Sequence, residues 1–135
     1  MRVVIDTNCL LVSIPPNSQY YWLYESFEKG SFDWLVSNET ITEYEEKLSE
    51  FYSVKTANLV LAILMVAPNT IFTEPYFKWQ LIQYDPDDNK FVDLSIAGNA
   101  DYLVTNDRDF NTLKQLDFPK VEVVTLEEFK QIVLG

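Results

Sequence analysis

Apolar runs too short for helices alternate along this chain with stretches whose apolar residues recur every three or four positions. Val3-Val4-Ile5 is a short, fully apolar run that reads as a β-strand and gives out at Asp6-Thr7-Asn8. Pro15-Pro16-Asn17 breaks the path; Ser18 can then cap a helix through about Lys29, stopped by Gly30. Phe32 to Val36 is a second apolar strand. Ser37 to Phe51 follows as a helix, with Ile41, Tyr44 and Leu48 at helical spacing, and Val54 to Val66 as another, closed by Pro68. The stretch from Ile71 to Tyr84 has the weakest pattern: aromatic residues, Pro75 and a possible strand around Leu81-Ile82. Asp85-Pro86 opens a helix through about Asn99, and Tyr102 to Thr105 forms a strand. Leu113 to Leu116 reads as one helical turn, Val121 to Val124 as a strand, and Thr125 as the cap of a final helix. Strands that alternate with helices, and that lack strict two-residue alternation, predict an α/β fold with a parallel sheet covered on both faces.

No repeat, linker or low-complexity tract interrupts the 135 residues, a length that suits one domain with one hydrophobic core. The longest apolar run, Leu59 to Ala67, is nine residues, against the roughly 20 that a membrane span requires. A single basic residue precedes the first strand, so a soluble, cytoplasmic protein is the expectation. Cys9 is the only cysteine, which excludes an internal disulfide.

Histidine is absent, and this removes Ser-His-Asp and Cys-His catalysis together with zinc sites built from His and Cys. Hydrolysis would have to rest on carboxylates holding a hard cation. The net charge of −11 argues against broad coating of nucleic acid. It leaves room for a nuclease whose bound metals supply positive charge locally.

Several carboxylates are candidates, and each has a structural reading beside the functional one. Asp6 stands at a strand's carboxyl end, where open α/β sheets bind ligands, yet Asp-Thr-Asn is also an ordinary turn. Glu43 lies in Thr40-Ile-Thr-Glu43, which fits a capping box. Asp85-Pro86-Asp87-Asp88 can be a cap, a first-turn Pro and two acids favoured by the helix dipole. Asp107 follows an apolar strand as Asp6 does, so the two meet at one sheet edge if their strands are neighbours. Asp93 lies about 140° around the helix from Asp88 and ranks as auxiliary, as does Asp109 beside Asp107. Cys9 has no visible base and reads as a small buried residue. Core packing is the default for Tyr20, Tyr21, Trp22, Tyr24 and Phe27; the apolar helix around Leu59 to Val66 offers a homodimer face.

The order of four segments resembles the PIN domain family over essentially the whole chain: Val-Val-Ile-Asp6-Thr-Asn8, Val36-Ser-Asn-Glu-Thr-Ile-Thr-Glu43, Asp85-Pro-Asp-Asp88-Asn-Lys-Phe91, and Ala97 through Thr105-Asn-Asp107-Arg-Asp-Phe110. The chain is most similar to the small single-domain members that act as toxins of toxin-antitoxin pairs. The resemblance implies a single PIN domain over residues 1–135 with a three-layer, Rossmann-like α/β/α fold around a central parallel sheet. It further implies a ribonuclease using Mg²⁺ or Mn²⁺, frequent homodimerisation and an antitoxin partner. The family's invariant acids fall on Asp6, Glu43, Asp88 and Asp107, as catalytic and metal-holding groups, with Asp85 and Asp87 as possible substitutes for Asp88. Asn8, Thr105 and Asn106 would support those acids or position RNA.

Clustered carboxylates repel one another until a divalent cation neutralises them. Water held beside such an ion can attack phosphorus in line and leave 5′-phosphate and 3′-hydroxyl ends. Two other readings compete. A haloacid-dehalogenase-type phosphohydrolase also begins with a strand ending in Asp, but requires a second Asp where this chain has Asn8. A PIN-like module that binds without cutting is favoured by the acidic charge and opposed by the intact set of acids.

Overall fold

The computed structural model describes residues 1–83 and 85–135. Tyr84, at the end of the stretch with the weakest pattern, lies outside them. Five strands, β1 (Arg2–Ile5), β2 (Asp33–Val36), β3 (Thr70–Phe72), β4 (Tyr102–Val104) and β5 (Val123–Val124), form one sheet in the order β3-β2-β1-β4-β5. Every pairing is parallel. The helices are α1 (Thr7–Ser13), α2 (Tyr21–Glu28), α3 (Asn38–Phe51), α4 (Val54–Val66), α5 (Asn89–Ala97) and α6 (Leu126–Leu134). Two 3₁₀ segments, Pro86–Asp88 and Arg108–Gln115, complete the described elements. The result is the expected three-layer α/β/α arrangement.

Burial on both faces explains why the strands are apolar throughout. Val3, Val4, Ile5, Leu35, Val36, Leu103 and Val104 are all fully buried. Aromatic rings fill the layer beside β2, with Phe27 edge-on to Trp34 at 5.1 Å and Phe32 edge-on to Phe129 at 5.3 Å. Helix α5 packs on β1, β2 and β4. It ends at Gly98, where a Cβ would come within 2.8 Å of Leu35 Cδ1, so only glycine lets the helix finish against the sheet without displacing that leucine.

The strand order places a switch point at the centre. From β1 the chain moves outward through β2 to β3, then returns to the other side of β1 as β4. A crevice at the carboxyl ends of β1 and β4 follows from this topology. The register pairs Ile5 with Val104, and the Asp6 amide donates to the Val104 carbonyl at 3.0 Å. Asp6 and Thr105 therefore leave the sheet side by side.

The local pattern misses several elements. Thr7–Ser13 is a helix where a turn was expected, because its seven residues are too few to show a polar face and Cys9, Leu10 and Leu11 are all buried. Helix α2 begins at Tyr21, three residues beyond Ser18, whose hydroxyl accepts from the Tyr20 amide. The sheet recruits Thr70–Phe72 and not Leu81-Ile82; the amide and carbonyl of Ile82 are instead bonded by the Asn89 side chain. The segment from Asp85 to Asn99 splits into a 3₁₀ turn and α5, with Asp85 capping the turn through the Asp87 amide. The 3₁₀ segment Arg108–Gln115 is longer than the single turn expected, and β5 is confined to Val123–Val124. The capping box of α3 joins Ser37 to Thr40, not Thr40 to Glu43. That shift frees the Glu43 carboxylate from the helix start.

Candidate metal centre

Asp6 is 5% exposed at the end of β1, and its Oδ2 accepts from the Thr105 hydroxyl at 2.8 Å. The same hydroxyl oxygen accepts from the Asp107 amide at 3.0 Å. Asp107 in turn caps the 3₁₀ segment, its Oδ1 accepting from the Asp109 amide at 2.9 Å. One threonine thus ties the two strand-end acids into a single frame. Asp88 enters from the N-terminal end of α5. Carboxylate oxygens of Asp88, Asp107 and Asp109 all lie within 4.8 Å of one another.

The energetics of this cluster favour a neighbouring positive charge. Burial pushes the Asp6 carboxyl up to about 6, against the hydrogen bonds from Thr105 and Thr7, and Glu43 and Asp107 push it further in the same direction. Asp88 is raised to about 7 by burial and then by Asp85, Asp6, Asp107 and Asp109. Its Oδ2 is buried and, among the described residues, has no hydrogen-bond partner. A buried carboxylate oxygen without a donor is costly. An all-oxygen set of this kind suits a hard divalent cation, which would satisfy that atom and relieve the repulsion.

Glu43 is held beside the cluster by its neighbour. The Tyr44 hydroxyl donates to the Ile5 carbonyl and accepts from Trp34 Nε1 at 3.3 Å, which fastens α3 to the end of β1. Burial drives the Tyr44 phenol far upward, so it remains a donor. Glu43 is then aimed at the Thr7 hydroxyl and at Lys90 Nζ, the latter at 2.8 Å. Its oxygens are paired with those groups and lie outside the tight aspartate trio.

The remaining candidates take other positions. Asp93 points away from the trio and accepts from the Trp79 amide at 3.0 Å, strapping the 77–83 segment to α5. Asp85 caps the turn before Asp88 and raises its neighbour's pKa. Asn106 accepts from the Leu126 amide at 3.0 Å and so anchors α6, while Asn8 is exposed on α1. Cys9 is buried, its thiol pushed upward by burial and by Asp6. Sequence reasoning overlooked Lys90 and Thr7. The one available signal for Lys90 was a cation two residues beyond Asp88, at the end of the Asp85-Pro86-Asp87-Asp88 cluster in a strongly acidic chain. Two open grooves, of about 520 and 370 Å³, meet at Lys90, which with Glu39 and Asp87 lines both.

A family model described as PIN domain matches residues 2–109. The chain belongs to the PIN domain family. The match covers all the acids just described, and it sets aside the haloacid-dehalogenase reading. Among solved structures, this PIN domain is similar to a chain of VapBC2 from Rickettsia felis, crystallised with a DNA fragment from their promoter. Identity is 19% and the TM-score 0.65, over 93% of this chain and 98% of that one, a likeness of fold. No curated protein matches the sequence.

Proposed function

We propose that this PIN domain is a metal-dependent endoribonuclease and the toxin of a toxin-antitoxin pair. The observation that carries the reading is Asp88, whose buried Oδ2 has no hydrogen-bond partner among the described residues and whose carboxylate is grouped with those of Asp107 and Asp109. These three residues, with Asp6 beside them, would hold Mg²⁺ or Mn²⁺. Such an ion, when bound, supplies charge for the phosphate oxygens and acidifies a coordinated water. Asp6, one oxygen of which is fixed by Thr105, would take a proton from the attacking water. As the new P–O bond forms, the P–O3′ bond breaks and the leaving oxygen takes a proton from solvent, giving 5′-phosphate and 3′-hydroxyl ends. Glu43 shapes the opposite wall through Thr7 and Lys90.

Three features support the partners. VapBC2, the fold neighbour, was crystallised on promoter DNA, in keeping with an antitoxin partner for this chain too. A net charge of −11 suits a basic partner segment. Helix α4 leaves Val54, Leu59, Met65 and Val66 exposed beside its buried Ala57, Val60, Leu61 and Leu64, which supports a homodimer through this helix. The cytoplasm is the compartment proposed; among the described residues no helix is long and apolar enough to cross a membrane. The direct test is cleavage of labelled RNA by the wild type and by Asp88→Asn, in Mn²⁺ and in EDTA. Cleavage only by the wild type with Mn²⁺ is expected; cleavage that persists in EDTA sinks the reading.

A further inference from the structure

Lys90 stands out because it is a largely buried cation in a chain with few of them. Its side chain and that of Glu43 are each 17% exposed. Desolvating such a pair costs roughly as much as the attraction returns, so charge neutralisation alone is a weak reason for it. An ammonium has three N–H donors, and among the described residues Glu43 is its one hydrogen-bond acceptor. Lys90 is also the one cation, among the described residues, that lines both grooves. Lys78, Gln80 and Gln83 add donors to the wider groove, and Asn38, Thr42 and Lys47 to the narrower. Glu39 and Asp87 stand in both walls, with Asp93 in the wider groove and Glu43 and Glu46 in the narrower, so a polyanion is attracted only at the few lysines, of which Lys90 serves both grooves.

We propose that Lys90 is a ligand for a substrate phosphate, presented by Glu43 at the junction of two grooves that carry a single RNA strand. This rests on the nuclease reading above and names the residue that meets the strand. Glu43 fixes the direction of the ammonium, and the ammonium's remaining N–H bonds face the grooves. The grooves fall in the usual size range of ligand clefts, about 300–1,000 Å³.

The test is binding of a fluorescent single-stranded RNA oligonucleotide in EDTA, across a salt series, with cleavage in Mn²⁺ measured separately. Lys90→Met is expected to weaken binding about tenfold and to flatten the salt slope by about 0.7, the single-strand value for one lost phosphate contact. Lys90→Arg should keep most of both. Lys78→Met, at an exposed position outside the Glu43 pair, should weaken binding about threefold without changing the melt. Mn²⁺ affinity by calorimetry should be kept or raised in Lys90→Met, because Glu43 is released. Unchanged RNA affinity and salt slope in Lys90→Met, with only a lower melting temperature, would overturn the proposal and leave Lys90 as packing. If the wild type cleaves and Lys90→Met does so with the wild-type KM, this inference alone fails. Wild-type protein that neither binds nor cleaves RNA overturns both readings.

Discussion

Thr105 donates its hydroxyl to Asp6 at 2.8 Å across 99 positions of sequence. The contact exists because β1 and β4 are parallel neighbours whose ends, Ile5 and Val104, are in register. It orients one Asp6 oxygen while burial and nearby acids oppose ionisation of the group. Replacing Asp6 with Asn keeps an acceptor for Thr105 and removes a charge. Cleavage in Mn²⁺ should fall by at least about a hundredfold, the scale of a lost general base. The melting temperature of the metal-free protein should stay level or rise. Wild-type cleavage by this variant, measured on labelled RNA, would remove Asp6 from the chemistry.

The raised carboxyls also set a pH dependence for the metal-free protein. Asp6 near 6 and Asp88 near 7 bind protons in the folded state that the unfolded chain, near 3.8, has already released. Between about pH 4 and 7 the native state holds more protons, so stability falls as pH rises through this window. Thermal melts in EDTA should therefore drop from pH 5 to pH 8, and the double variant Asp6→Asn, Asp88→Asn should flatten the trend. Mn²⁺ should raise the melt of the wild type more at pH 8 than at pH 5. Equal shifts at the two pH values would show that the metal does not compete with these protons.

The acids were legible to different degrees. Asp6 and Asp107 each follow an apolar strand, and the α/β pattern put them at one edge of the sheet on the condition that those strands are neighbours, as β1 and β4 are. Asp88 and Asp93 were separable by helical geometry, and the structure sends them to different duties: Asp88 into the trio, Asp93 onto the Trp79 amide. Asp109 was ranked as auxiliary, yet its carboxylate is one of the trio, because Asp107, extended at the cap, accepts from the Asp109 amide and so keeps the two side chains together. Glu43 looked like a capping residue until Ser37 and Thr40 took that task between themselves. Helix α1 and strand β3 were illegible for a common reason: each is too short to display a period, and tertiary packing decides its conformation. Lys90 was overlooked because its significance lies in a partner 47 positions away.

Tyr44 is the fastening on which the Glu43 wall depends. Its hydroxyl joins the Ile5 carbonyl to Trp34 Nε1, and all three groups are buried. Tyr44→Phe leaves the indole N–H without its acceptor and the carbonyl without its donor. The cost should be about 1–3 kcal/mol, the usual penalty for an unsatisfied buried polar group. Chemical denaturation reads that loss. Because Glu43 is the adjacent residue on α3, cleavage should fall as well, even at temperatures where the variant is fully folded. A stability loss with wild-type turnover would show that Glu43 keeps its place without this anchor.

The apolar side of α4 allows a test of assembly that leaves the acids untouched. Leu59 and Met65 are 62% and 54% exposed, and neither belongs to the buried core. Exposed residues that contribute no packing within the chain can be exchanged for charges at a cost usually within about 0.5 kcal/mol. If two copies meet across this helix, however, Leu59→Glu with Met65→Glu places like charges at the centre of the contact, which costs several kcal/mol there. Sedimentation should then report a dimer for the wild type and a monomer for the double variant, with RNA cleavage per chain retained, because the grooves and the aspartates are built from one chain. A dimer that survives the double substitution would place the interface on another face. A monomeric wild type would mean that the exposed apolar residues of α4 do not pair two copies.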